Sequence, residues 1–306
     1  MNPVSPSGRN AGIAAILAAA VLWGTTGTVQ ALLPAGREPL VVAALRLLVG
    51  AAALFIIALS ARQSRSAFLR LPVPGVLGAG LAIGLYNLLF FAAILKTGVG
   101  IGTALAIGSA PIWVTLFEFG LYRRIPSRRQ GFGQAVCIIG AVLLVVSGAA
   151  TNASAPGLAI ATLAGAAYAA YSLLTSRIGH RAPSATIAAS TFGVAAVCTA
   201  PLLWLLPTGW LADAATWSKI VFLGVVATGL SYALYTWGLR HVAASTAVTL
   251  ALAEPLTAWL LATVVVGEAV TPTKIVGAVL LLAGLFIVTG RGGRRDLESM
   301  RAAGSC

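Results

Sequence analysis

GTALAIGSAPIWVTLFEFGLYRRIPSRRQGFGQAVCIIGAVLLVV at residues 102–146 and STAVTLALAEPLTAWLLATVVVGEAVTPTKIVGAVLLLAGLFIV at 245–288 follow one pattern. Each is an apolar run of membrane-spanning length with a proline inside it, then a short polar break, then a second apolar run studded with glycine. Sliding the chain by 144 residues lays Pro111 on Pro255, Gly133 on Gly277 and Gly140 on Gly284. The same shift carries Pro39 onto Pro183 and Lys96 onto Arg240, so the repeat extends well beyond the quoted stretches.

Working outward, apolar runs and their polar breaks predict ten spans, near 12–33, 38–59, 73–95, 101–122, 130–149, 156–177, 184–206, 217–239, 244–266 and 272–290. Spans 1–5 repeat as spans 6–10. Five is odd, so the second half enters the membrane from the opposite side to the first. The charges agree: RRIPSRR after span 4 corresponds to the basic-poor GEAVTPTK after span 9. Of the 20 Lys and Arg, 15 fall at the N-terminus, in the gaps after even-numbered spans and in the tail, which predicts both termini in the cytoplasm. Inverted repeats around a midplane site, one half rocking against the other, are a recurrent architecture of secondary transporters. The first span is longer than a signal-peptide core and lacks a clear cleavage site before the next span, so it is expected to remain as a helix.

Composition fits the same picture. With 59% of its 306 residues hydrophobic and 9% charged, the chain cannot cover a soluble surface, where about a quarter of residues carry charge. The net charge of +13 lies scattered in short gaps rather than in a stripe, which argues against a nucleic-acid partner. Cys137, Cys198 and Cys306 are isolated, with neither metal spacing nor a disulfide framework, and no metal or cofactor is expected.

Residues 245–288 closely resemble the C-terminal signature of the EamA-type branch of the drug/metabolite transporter superfamily. Residues 102–146 look like its first-half counterpart, and LRLLVGAAAL at 45–54 is similar to the family's second helix. The resemblance covers roughly 11–290 and is strongest to the ten-helix inner-membrane exporters of aromatic amino acids. It implies an all-α polytopic membrane protein of ten transmembrane helices, arranged as two inverted five-helix repeats around a central cavity. The repeats would occupy 11–149 and 155–290, followed by a basic cytoplasmic tail at 291–306. One departure matters: where the family often has Glu, the first repeat has Arg124, while Glu268 keeps the acid in the second.

An ionisable group at bilayer depth costs about 2.5–3.5 kcal/mol or more, so each needs a partner or a watery cavity. Arg46 lies near the middle of span 2 and Glu254 near the middle of span 9; Glu118, at the end of span 4, can snorkel toward Arg123 and Arg124. Pro255 weakens one helical turn beside Glu254. Three roles are open to this acid: proton-coupling carboxylate, ligand for a substrate amino group, or structural partner of Arg46.

Trp204, Trp210, Trp217 and Tyr122 fall at span ends, where amphipathic rings form interfacial belts. Trp23, Tyr86, Trp113, Tyr168 and Tyr171 fall near span centres, with Tyr232, Tyr235 and Trp259 somewhat off-centre; lipid offers their N–H and O–H groups no partner, so they are expected to face inward. Thr25, Thr26, Asn87, Ser109, Ser172 and Ser231 share their levels, and several of these residues form i,i+4 pairs on one helix face. Such faces could wall one cavity for substrate, or each could make only an interhelical hydrogen bond.

A flat apolar group with a polar zwitterionic head suits such walls. The sequence thus points to efflux of aromatic and other neutral amino acids; the alternatives are export of another small metabolite or drug class, or a polytopic enzyme. Against an enzyme, His180 and His241 sit alone at span ends and acids are scarce. There is no charged ring or carbonyl-filter motif for a channel. Nor is there a G-x-x-x-x-G-K-[ST] segment for an ATP-driven pump working alone. The expected partners are the small-molecule substrate and membrane lipid, with a monomer the simplest unit.

Overall fold

The structure, a computed structural model, describes residues 6–123, 125–146 and 154–290. The basic tail from 291 and Arg124 lie outside that range. The described residues form ten main helices: α1 (Pro6–Ala31), α2 (Pro39–Ser60), α3 (Val73–Gly98), α4 (Gly100–Tyr122), α5 (Arg128–Val146), α6 (Ala155–Ile178), α7 (Ser184–Leu205), α8 (Ala214–Gly238), α9 (Ala244–Val265) and α10 (Pro272–Thr289). Nine of them are long and apolar enough, among the described residues, to cross a membrane; α5, whose described part ends at Val146, is the tenth. It joins the bundle through packing, lying lengthwise on α10.

Local sequence sets the boundaries. Proline begins α2 and α10, where the missing N–H costs nothing. Gly98, at φ +78°, turns the chain sharply between α3 and α4, a conformation that side chains with a Cβ resist. Both α8 and α9 are interrupted, and of these interruptions only the weakened turn beside Pro255 was expected. The α8 helix widens into a π-helical turn at Val225–Leu230, and α9 is broken at Ala251–Leu252 between Ala244–Leu250 and Ala253–Leu261. The break follows from Pro255: lacking an N–H, it cannot bond the Ala251 carbonyl, which accepts instead from the Glu254 N–H at 3.0 Å.

Small residues bring the helices together, as expected where lipid supplies no hydrophobic drive for association. A Cβ on Gly133 would lie 3.3 Å from the Gly284 carbonyl oxygen, and one on Gly140 would lie 2.7 Å from that of Gly277. Elsewhere Gly80 meets Val194 and Gly224 meets Val49 and Gly50. The α3 and α4 helices both pack on α6, through Gly75 against Ile178 and Gly165 against Ser109. The outer surface is apolar: Leu77, Leu81 and Leu85 on α3, and Val279, Leu282 and Phe286 on α10, are exposed at helical spacing. This suits a hydrocarbon surround.

Candidate functional site

Arg46 is brought to the bundle interior by α2, which packs on α7 and α8. Its guanidinium donates from Nε to Thr228 Oγ1 at 3.1 Å and from Nη2 to the Ala227 carbonyl at 3.5 Å. Both acceptors lie on the π-helical turn, and such turns are frequent at functional sites. The Thr228 hydroxyl in turn donates to the Leu223 carbonyl at 2.8 Å, five residues back, so it fills the widened turn and anchors Arg46 together.

Glu254 sits in the first turn after the break in α9. It is half-buried and joins none of the ion pairs within 4.0 Å among the described residues. Its carbonyl is crossed closely by α1: a Cβ on Gly24 would stand 2.9 Å from the Glu254 oxygen, so only glycine admits this approach. Arg46 and Glu254 therefore form no ion pair among the described residues.

Six of the aromatic residues singled out in the sequence form one ring network spanning α1, α3, α6 and α8. Trp23 lies 4.8 Å from Tyr232 and 5.2 Å from Tyr235 between centroids, and Tyr168 lies 5.2 Å from Tyr86 and 5.9 Å from Tyr235. Tyr171 and Tyr235 form its buried floor, their hydroxyls meeting Thr236 Oγ1 at 3.4 Å and Ser172 Oγ at 2.9 Å. Phe192, which periodicity did not single out, closes the floor 4.4 Å from Tyr232. Tyr86 stays half-buried at the other side of the network. The indole Nε1 of Trp23, a residue only 5% exposed, has no hydrogen-bond partner among the described residues. A buried donor left unpaired costs about 1–3 kcal/mol, a cost that any acceptor brought within reach would relieve.

The remaining candidates are placed differently. Trp113 on α4 lies 5.8 Å from Phe117 and makes no ring contact with the network. Asn87, Ser109 and Ser231 bond carbonyls of their own helices, at Ile83 (2.9 Å), Ala106 (3.4 Å) and Ala227 (2.9 Å). Sequence reasoning missed Gly24, Phe192 and Thr228. Thr228 lies three residues before Ser231, on the same helix face, and that spacing was the signal for it.

At one end of the bundle the α6–α7 turn meets the α8–α9 turn, with Gly179 close to the side chain of Arg240. Partial burial, followed by the charges of Arg240 and His241, holds His180 below its ordinary value of 6.5. The His241 ring lies tilted against Trp237, 4.1 Å between centroids. Among the described residues no three His, Cys, Asp or Glu side chains gather as a metal site would need.

The model of the EamA-like transporter family matches the chain twice, at residues 10–146 and 155–290. The chain is 35% identical over 274 residues to "Uncharacterized transporter YwfM" of Bacillus subtilis (strain 168), covering 90% of this chain and 92% of that one. It is 28% identical over 293 residues to the "Probable amino-acid metabolite efflux pump" of Salmonella typhimurium (strain LT2), covering 91% and 94%. A solved crystal structure superimposes with a TM-score of 0.79 at 21% identity, covering 93% of this chain and 98% of that chain, and so shares the fold. A helical bundle with an internal aromatic network, matched twice by the family model and similar along nearly its whole length to proteins named as transporters, is a multi-pass membrane protein belonging to the EamA-like transporter family.

Proposed function

We propose that the protein is a secondary exporter of neutral amino acids, aromatic ones foremost, working by alternating access across the inner membrane with both termini in the cytoplasm. The observation that carries this reading is the aromatic network, drawn from four helices, with the half-buried Tyr86 at its edge and an unpaired indole donor within it. Ring contacts with a flat side chain contribute about 0.5–1.5 kcal/mol each beyond area burial. The efflux function named for the Salmonella relative agrees in substrate class.

Two inverted repeats, at 11–149 and 155–290, supply the moving halves. This reading is supported by how the helix crossings exchange. Under the 144-residue shift the approach of Gly133 to Gly284 becomes that of Gly277 to Gly140, and Gly80 against Val194 becomes Gly224 against Gly50. That exchange is what a pseudo-two-fold axis in the membrane plane requires, and halves so related can rock about a fixed central site. The test is efflux of a labelled panel from proteoliposomes, with and without a pH gradient. Phenylalanine, tyrosine and tryptophan should leave fastest, and methionine or threonine more slowly. Movement of sugars or organic cations with no amino acid transported would refute the substrate class and favour export of another metabolite.

A further inference from the structure

The two charges at the aromatic network are held apart, and each has unused bonding capacity. Arg46 carries five N–H donors, and two are engaged, by Thr228 and Ala227; Nη1 makes no hydrogen bond among the described residues. Those two bonds fix the guanidinium without using it up. The Glu254 carboxylate accepts no hydrogen bond and joins no ion pair among the described residues, and the residue is only half-buried. The groups arrive from different parts of the bundle: α2 packs on α7 and α8, whereas the Glu254 half of α9 packs on α1 and α5. Thr228, which holds Arg46, lies one turn before Tyr232, and the Glu254 backbone is crossed by Gly24, the neighbour of Trp23, so both residues border the same aromatic walls.

A direct structural lock between them would close to contact distance, because the desolvation of two buried charges is offset only by close, well-oriented pairing. No such contact forms among the described residues. A group carrying both signs of charge would give each residue the partner it lacks. We infer that Arg46 and Glu254 are the two points of a clamp for the zwitterionic head of the substrate, Arg46 receiving the α-carboxylate and Glu254 the α-ammonium, with Trp23, Tyr86 and Tyr232 against its side chain. The inference rests on the amino-acid export proposed above and deepens it. The clamp demands a free amino acid: a ligand with one charge leaves the opposite residue buried without its partner, the condition under which sites discriminate most strongly.

The test uses the purified full chain in proteoliposomes moving labelled phenylalanine, with unlabelled phenylalanine, hydrocinnamate (no ammonium) and phenethylamine (no carboxylate) as competitors. Both single-charge analogues should compete at least tenfold more weakly than phenylalanine. In Glu254→Gln the advantage over hydrocinnamate should shrink while that over phenethylamine persists, and Arg46→Gln should do the reverse. The analogue series on the unaltered protein decides the matter even if the variants fail to fold. Equal competition by all three compounds would overturn the clamp while leaving amino-acid export standing, and would reduce Glu254 to a proton carrier or a packing element. A protein that moves no neutral amino acid would instead refute the export reading, and the clamp with it.

Discussion

Replacing Gly140 by alanine adds one methyl group where α5 crosses α10. That carbon would sit 2.7 Å from the Gly277 carbonyl oxygen and 2.9 Å from Leu281 Cα, both well inside van der Waals contact. The obstructing atoms are backbone, so no rotamer change relieves the overlap and the helices must separate. Overpacking of this kind costs about 1–3 kcal/mol. The better helix propensity of alanine returns about 1 kcal/mol at most. A net loss near 1–2 kcal/mol lowers the unfolding midpoint by about 2–6 °C for a chain of this order of size. Gly108→Ala is the control, since its added carbon would find nothing closer than Val142 Cγ2 at 4.0 Å. Its midpoint should hold or rise. The Gly277→Ala change, on the facing helix, should cost about as much as Gly140→Ala, and the double variant less than the sum, because separating the helices once relieves both overlaps. Thermal unfolding of the detergent-purified protein at a fixed scan rate measures all four. A Gly140→Ala midpoint equal to or above the parent's would refute the crossing geometry and, with it, the exchange of crossings between the two halves.

Thr228→Val keeps the side-chain volume but removes the acceptor for Arg46 Nε; loss of a hydrogen bond to a charged group should destabilise by about 1.5–3 kcal/mol, read as a lowered unfolding midpoint. His180, held below its ordinary value in the folded protein, binds its proton more readily when unfolded, so stability should fall as pH drops through and below 6.5. His180→Gln should flatten that part of the stability profile, and an unchanged slope would exclude the histidine as its source. Single cysteines in the 207–216 loop should react with an impermeant reagent on intact cells and those at 62–70 should not; the opposite pattern would invert the proposed orientation. Tyr86→Ala should alter which amino acids are moved more than it alters folded yield, measured by the same substrate panel on matched protein amounts.

The helical bundle was legible because lipid imposes a simple rule: every span must bury its own backbone polar groups within one apolar run, and the breaks between runs collect the arginines. Matched glycines and prolines at a spacing of 144 also exposed the repeat, since close crossings leave no choice of residue at positions such as 140 and 277. The fifth span, read at 130–149, starts two residues earlier in the structure, on Arg128, and takes its place through α10. Within the site, the gathering of Trp23, Tyr86, Tyr168, Tyr171, Tyr232 and Tyr235 followed from inward-facing rings at one depth. What i,i+4 spacing could not supply was the rotation of each helix against its neighbours. Trp113 packs along its own helix against Phe117, and Ser231 satisfies its hydroxyl on Ala227 one turn back. The π-helical turn bonds Arg46 from 182 residues away, and so long-range a contact leaves little trace in local sequence.

Countertransport tests the central claim most directly, because a carrier that exposes one site alternately to each side must exchange what it holds. Proteoliposomes containing the purified protein are loaded with unlabelled phenylalanine and diluted into a trace of the labelled amino acid. The account predicts that label accumulates transiently above its equilibrium level and then decays as the internal pool runs down, and that preloading with an amino acid outside the substrate range abolishes the overshoot. Label that rises only monotonically to equilibrium, or fails to enter at all, would contradict alternating-access export of amino acids by this chain.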